Sequence, residues 1–310
     1  MKNNTIITAG DRNYLWGIFM MIASLRKNGM DEPVIVGTKN FDDESGAILT
    51  AMGDVTLIPL DGFGRSLTCC KPHMMLQAGS DYITWVDSDG YFIGNCSARL
   101  IPETPGQIHI RMRSAEEQPQ AFRGYTYGED GRRIPQAVLE VWKRNVGGLD
   151  SPRIPRSCSA CFLSVHKSAR PFLEKWYEQM MTVLPATDVG VVDFSLKYYH
   201  QLDESVLNSC LAFFPGAPRV AETFRLDKSH EERFIHFIGQ PKPWQGWTPR
   251  AFRHFDSYVS VAEFARSRNW RMPGEIPFSL KRENRTLCSL LTYPVSWQYR
   301  ITRRLRKWFA

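Results

Sequence analysis

Asp81-Tyr82-Ile83-Thr84-Trp85-Val86-Asp87-Ser88-Asp89-Gly90 decides how this chain reads. An apolar, β-rich run breaks off abruptly into two carboxylates one residue apart, followed by a glycine. The run predicts a buried strand, and in open α/β sheets ligands bind beyond the carboxyl ends of the strands. Asp87 and Asp89 repel each other there unless a cation sits between them. Mn²⁺ and Mg²⁺ meet that need: they prefer oxygen ligands and bridge carboxylates to diphosphates, and Ser88 turns the second Asp back toward the same ion. Taken alone, the D-x-D pattern suits a solvated turn equally well.

The sequence on either side supplies the α/β context. Residues 5 to 9 predict a short buried strand, and 14 to 27 a helix that Asp11 or Asn13 caps. A strand at 33–37, a helix at 43–52, a strand at 55–60 and a helix at 72–78 continue an alternation that predicts a parallel sheet. Further strands are expected at 107–113, 161–165 and 234–238, and helices at 135–145, 169–183 and 204–212. The stretch 114–155, rich in Gly, Pro, Arg and Gln, is expected to be an acceptor-side insertion. Residues 1–250 then form the catalytic domain and 251–310 a C-terminal extension.

Composition narrows the class. With 310 residues, 43% hydrophobic and 23% charged, the chain can bury a full core. Seven cysteines, an odd number, include only two close pairs, Cys69-Cys70 and Cys158-x-x-Cys161. No histidine stands near enough to Cys158 and Cys161 to complete a zinc set, so buried apolar cysteines in a reducing compartment are expected. There is no signal-peptide core after Met1 and no apolar run of about 18 residues, so neither secretion by a cleaved signal nor membrane crossing is expected. A net charge of +7 invites anionic partners.

A second constellation is His236-Phe237-Ile238-Gly239-Gln240-Pro241-Lys242-Pro243-Trp244. A histidine at a strand end can complete a metal shell, Gly239 lets backbone approach a phosphate, and Lys242 offers a point charge to a diphosphate leaving group. His236 by itself would more often be a core histidine.

These segments together resemble the family 8 retaining glycosyltransferases, the group of bacterial lipopolysaccharide galactosyl- and glucosyltransferases and glycogenin. Thr8 to Tyr14 is similar to that family's first-strand turn, and Asp87-Ser88-Asp89 to its metal motif. His236 to Trp244 is similar to its H-x-x-G-x-x-K-P-W segment, and Asp203-Glu204-Ser205-Val206-Leu207-Asn208 to its D-Q-x-x-x-N helix start. The resemblance implies a GT-A fold, a mixed, Rossmann-like sheet flanked by helices. It implies Asp87, Asp89 and His236 on Mn²⁺ or Mg²⁺. A UDP-sugar would be held by Ala9, Asp11, Asn13, Tyr14, Lys71, Asp87, Ser88, Gly239 and Lys242, with Asp203 and Glu204 beside the reacting sugar.

Two departures stand out. Glu204 replaces the family's amide beneath the anomeric carbon, where a carboxylate could stabilise an oxocarbenium ion or attack it; without the rest of the pattern, Asp203 and Glu204 simply favour a helix N-terminus. Ser157 to Phe162 replaces an Asn-Ala-Gly run, and altered sugar choice is expected. If an acid at 203 or 204 served as general base, the reaction would invert.

At the end of the chain Trp297, Ile301, Leu305 and Trp308 share one helical face, with five cations and no acid elsewhere on it. This basic amphipathic helix is expected on an anionic membrane surface, at the cytoplasmic face, near a lipid-linked glycan acceptor. Packing on the domain is the competing reading, and nucleic acid is not expected. Two rival functions remain at this stage. A metal-dependent nucleotidyltransferase would want a Gly-rich basic loop, of which Ala9-Gly10-Asp11-Arg12 is a poor version; a non-catalytic carbohydrate-binding relative could keep the fold.

Overall fold

The computed structural model describes residues 3–63, 67–122, 131–184, 196–222 and 234–309, with side chains described to Thr302. The chain runs β1 (Asn4–Asp11), α1 (Leu15–Lys27), β2 (Val34–Lys39), α2 (Asp43–Thr50), β3 (Val55–Pro59), α3 (Lys71–Met75), β4 (Tyr82–Val86) and β5 (Gly90–Phe92). It continues through α4 (Ser97–Leu100), β6 (Gln107–Met112), α5 (Gln118–Ala121), α6 (Gln136–Val146), β7 (Cys158–His166), α7 (Arg170–Val183) and α8 (Asp203–Phe213). Then follow β8 (Arg219–Glu222), β9 (Phe234–His236), α9 (Pro249–Phe252), α10 (Phe255–Ser267) and α11 (Arg285–Phe309).

Seven strands form one sheet in the order β3-β2-β1-β4-β7-β6-β8. The alternation of strands and helices correctly predicts the parallel half, β3-β2-β1-β4. The sheet as a whole is mixed, because β7 runs antiparallel to both β4 and β6. It also starts earlier than expected, at Cys158 rather than Cys161, so the Ser157–Cys161 segment leads straight into a central strand. A separate two-stranded pair joins β5 to β9.

The sheet divides the core in two. Successive residues of β1 point to opposite faces, so Ile6 packs in one cluster and Ile7 in the other. On the first face α1, with Leu15 to Leu25 almost wholly buried, packs against α10. Phe255, Tyr258, Val259 and Ala262 of α10 are core residues, although they belong to the segment 251–310. The second face holds α3, α6, α7 and α8, and takes Phe122, Ile134, Val138 and Trp142 from the segment 114–155. Residues 123–130 of that segment lie outside the described ones. All seven cysteines are buried and none is in a disulfide, which agrees with their reading as small apolar residues.

From β1 the chain steps outward to β2 and β3, then returns to β4 on the other side of β1. The connections leaving β1 and β4 therefore diverge and open a crevice at those strands' carboxyl ends, the place where α/β sheets bind ligands. Thr8 to Tyr14 and Asp87 to Asp89 both lie at that crevice.

Candidate functional site

β4 is buried along its whole length and stops at Val86, where Asp87 N–H turns to donate to Cys161 O at 2.9 Å. Trp85 donates its indole N–H to Asp87 Oδ1 at 2.8 Å, which fixes that carboxylate. After the Asp87-Ser88-Asp89 turn, Gly90 opens β5 directly opposite His236 of β9. Only glycine fits there: a Cβ on Gly90 would stand 2.2 Å from the Phe234 ring. Phe237 N–H then donates to Asp89 O at 3.0 Å. This short strand pair carries His236 across 147 positions of sequence to the D-x-D turn.

The result is a compact donor set. One ligand atom from each of Asp87, Asp89 and His236 lies within 4.8 Å of the others. His236 Nε2 is 3.0 Å from Asp89 Oδ1 and 3.7 Å from Asp87 Oδ2. Two carboxylates and one imidazole fit a hard divalent ion and leave coordination positions for phosphate and water. Burial opposes the charge on His236, but Asp89 and the hydrogen-bonded Cys161 thiol push its pKa well above the ordinary value. Burial likewise opposes ionisation of Asp89, yet His236 and Lys242 hold that carboxyl well below the usual range. Lys242 reaches Asp89 Oδ2 at 2.5 Å and Phe237 O at 2.7 Å.

Lys71, the first residue of α3, is buried and ties three groups together. Its ammonium sits 2.9 Å from Asp87 Oδ1, 3.0 Å from Asp203 Oδ2 and 3.0 Å from Ala160 O. Burial opposes its charge, and Asp203 and Asp87 more than restore it, so its pKa is raised. Asp203 begins α8; burial pushes its carboxyl up to about 6, with Asp87 adding to the rise against the pull of Lys71. The next residue, Glu204, turns to Arg113 and to the Ala160 N–H.

The nucleotide candidates lie on the rim. Asp11 accepts from Asn13 N–H at 2.9 Å and from its side-chain amide at 3.3 Å, which shapes the turn before α1. Ala9 lies two positions past the last β1–β4 partner pair, Ile7 with Trp85, and so stands level with Asp87. Tyr14 stands edge-on to Trp244 with centroids 5.8 Å apart, and its hydroxyl accepts from Gln240 at 3.3 Å. Burial, with Asp89 assisting, raises the phenol's pKa and keeps it neutral. Ser88 is buried against α1, where a Cβ on Gly17 would meet Ser88 O at 2.6 Å. Gly239 has φ +86°, and a side chain there would meet nothing within 4 Å, so its backbone borders open space.

The metal, donor and reacting-sugar candidates read from the sequence thus lie at one end of the sheet, in two linked groups and a rim. Three participants were missed: the Trp85 indole, Cys161 against His236, and Arg113 against Glu204. Arg113 and Glu204 are 91 positions apart, and no spacing rule connects them.

No known family profile matches the sequence, and no curated protein matches it. Solved structures do match in shape. The fold is that of the GT-A glycosyltransferases. The apo structure of WbbM, a bifunctional glycosyltransferase, superposes with a TM-score of 0.57 at 15% identity, over 92% of this chain and 52% of WbbM. The glycosyltransferase GlyE of Streptococcus pneumoniae TIGR4 gives 0.53 at 14% identity, covering 89% of this chain and 66% of GlyE. An active-site glutamine-to-glutamate mutant of LgtC gives 0.52 at 14% identity, covering 85% of this chain and 95% of LgtC. The chain spans about half the length of WbbM.

Proposed function

We propose that this protein is a metal-dependent glycosyltransferase that moves a hexose or N-acetylhexosamine from a UDP-sugar to a lipid-linked glycan, in surface polysaccharide or lipopolysaccharide synthesis. The observation that carries the reading is the meeting of Asp87, Asp89 and His236 at the crevice of a GT-A fold. Those three residues would hold Mn²⁺ or Mg²⁺, whose charge would offset that of the diphosphate. Lys242 lies in the same cluster and is placed to share that task once a diphosphate competes with Asp89 for it. Asp11, Asn13 and Tyr14 form the rim that would take uracil and ribose, and Gly239 gives the phosphates an open backbone approach.

As the bond from the anomeric carbon to UDP breaks, its electron pair leaves on the diphosphate, and the acceptor hydroxyl oxygen bonds to the carbon while its proton passes to the released diphosphate. Asp203 and Glu204, beyond Lys71, would face the positive charge that develops on the sugar. Retention of configuration belongs to the reading and rests on the motif resemblance.

The lipid-linked acceptor is supported by α11. Cys288 and Thr292 bury one side of that helix, and Val295 closes on Gly246. Leu290, Trp297 and Ile301 stand exposed on the opposite side, Leu290 by 69% and Trp297 by 68%, and Leu287 and Leu291 are exposed on the flank between. Leu305 and Trp308, which extend this face in sequence, lie beyond the last described side chain. This exposed apolar stripe, together with the cations of the same stretch of sequence, Arg300, Arg303, Arg304, Arg306 and Lys307, fits an anionic, cytoplasmic membrane surface. No helix among the described residues is long and apolar enough to cross a membrane.

The test is UDP release by purified protein from UDP-galactose, UDP-glucose and UDP-N-acetylglucosamine. Release that requires Mn²⁺ or Mg²⁺ and is lost in Asp89→Ala is expected. No release from any of the three with either metal rejects the reading.

A further inference from the structure

Asp203 and Glu204 are adjacent in sequence and part company in space. Asp203 joins Lys71 and Asp87, whereas Glu204 accepts from Arg113 Nη2 at 2.5 Å and from the Ala160 N–H at 3.0 Å. Both oxygens of Glu204 are therefore held. Arg113 is held as well. Its guanidinium also donates to Ser157 Oγ at 3.0 Å and Cys158 O at 3.4 Å, and its own N–H donates to Ser157 O at 2.9 Å. The Gln118 side-chain oxygen accepts from Ser157 N–H and Oγ, both at 3.0 Å. The Asn208 side chain grips Cys158 N–H and C=O and the Glu204 carbonyl.

Ala160 links this ring to the rest of the site, because its N–H goes to Glu204 and its C=O to Lys71. Arg113 and Glu204 each keep 15% of their side-chain surface exposed, so the pair is packed without being sealed off.

We propose that Arg113 is a positioning residue: with the Ala160 amide it fixes Glu204 as a standing negative charge beside the donor sugar. This inference rests on the glycosyltransferase reading. Glu204 acts on the sugar through its charge and forms no bond to it. A fixed carboxylate stabilises the developing oxocarbenium ion without reorganising during the reaction. Arg113 touches neither sugar nor phosphate and works through Glu204.

The experiment uses the full chain with Mn²⁺ and compares wild type, Arg113→Met, Arg113→Lys, Glu204→Gln and the double variant R113M/E204Q. Thermal stability, UDP binding, and kcat and KM for UDP release from UDP-galactose and UDP-glucose are measured on each. UDP binding is expected to match wild type throughout. In R113M and E204Q, kcat is expected to fall about a hundred-fold, the scale for losing one fixed electrostatic group, with KM nearly unchanged. Arg113→Lys should recover part of the loss. The double variant should regain the stability lost in R113M, since no unpaired charge remains, but not the rate.

A double variant or R113M with wild-type kcat overturns the proposal and leaves the glycosyltransferase reading standing. A sugar adduct on Glu204 in the intact mass also overturns it. Wild-type protein that neither binds UDP nor turns over either donor removes the reading itself, and the proposal with it.

Discussion

Lys71→Met removes the cation at the centre of the site. Lys71 contacts Asp87, Asp203 and the Ala160 carbonyl at 2.9 to 3.0 Å, and its side chain is only 7% exposed. Breaking a buried ion pair by deleting one partner typically costs about 3–5 kcal/mol, because the other charge stays buried and unpaired. Asp203 can relieve part of that cost by taking up a proton. Its folded pKa, about 6, already lies above the unfolded carboxyl value, so the native state binds the extra proton. Stability accordingly falls as pH rises through the window from roughly 4 to 6.

Without Lys71 the folded pKa climbs further and the fall continues above pH 6, by about 1.4 kcal/mol for each added unit. Urea denaturation of wild type and K71M at pH 5 and pH 8 measures this. The variant's deficit should be modest at pH 5, where both proteins carry a protonated Asp203, and should approach about 3–5 kcal/mol at pH 8. The double variant K71M/D203N should recover most of the pH 8 loss. An equal deficit at both pH values, or no recovery in the double variant, refutes the reasoning.

The same titration reaches catalysis. Protonating Asp203 weakens its hold on Lys71, so kcat/KM for UDP release should show a step at an apparent pKa near 6, and the low pH profile of Asp203→Asn should lack that step and keep only the acid loss that comes with His236. Gly90→Ala places a methyl group on the Phe234 ring; it should destabilise the protein by about 1–3 kcal/mol in thermal unfolding and weaken Mn²⁺-dependent UDP binding by moving His236, whereas a wild-type melting curve would contradict the geometry. Truncation after Val295 keeps the buried Cys288 and Thr292 and removes Trp297, Ile301 and the basic cluster. Binding to vesicles of phosphatidylcholine with phosphatidylglycerol, followed by sedimentation, should be lost in the truncated chain, and undiminished binding would dismiss the helix as the membrane contact.

The parallel half of the sheet was legible in the sequence because each strand is short, apolar and followed by an amphipathic or apolar helix. The antiparallel course of β7 was not, since direction depends on how the chain returns after residues 114–155, and local pattern does not record that. β5 is only three residues long and β8 four, below the length at which periodicity speaks. Asp87, Asp89, His236 and Lys242 were legible as motifs, and the β5–β9 pair that joins them became visible only in three dimensions. Lys71 was found as a donor contact, but its tie to Asp203 crosses 132 positions and depends on α3 and α8 meeting the ends of β4 and β7. Arg113 is the clearest omission: at a strand end it reads as an ordinary surface cation, and only the fold shows Glu204 opposite it.

The central claim is that Asp87, Asp89 and His236 hold a divalent ion on which a UDP-linked sugar depends. Calorimetric titration of UDP into the full chain, with Mn²⁺ and then with chelator, tests it most directly when repeated on Asp89→Ala. Binding with Mn²⁺ is expected to disappear with chelator and in the variant, and to weaken at acid pH as His236 retains its proton. UDP binding that is indifferent to metal and to Asp89, or no UDP binding under any of these conditions, would contradict it.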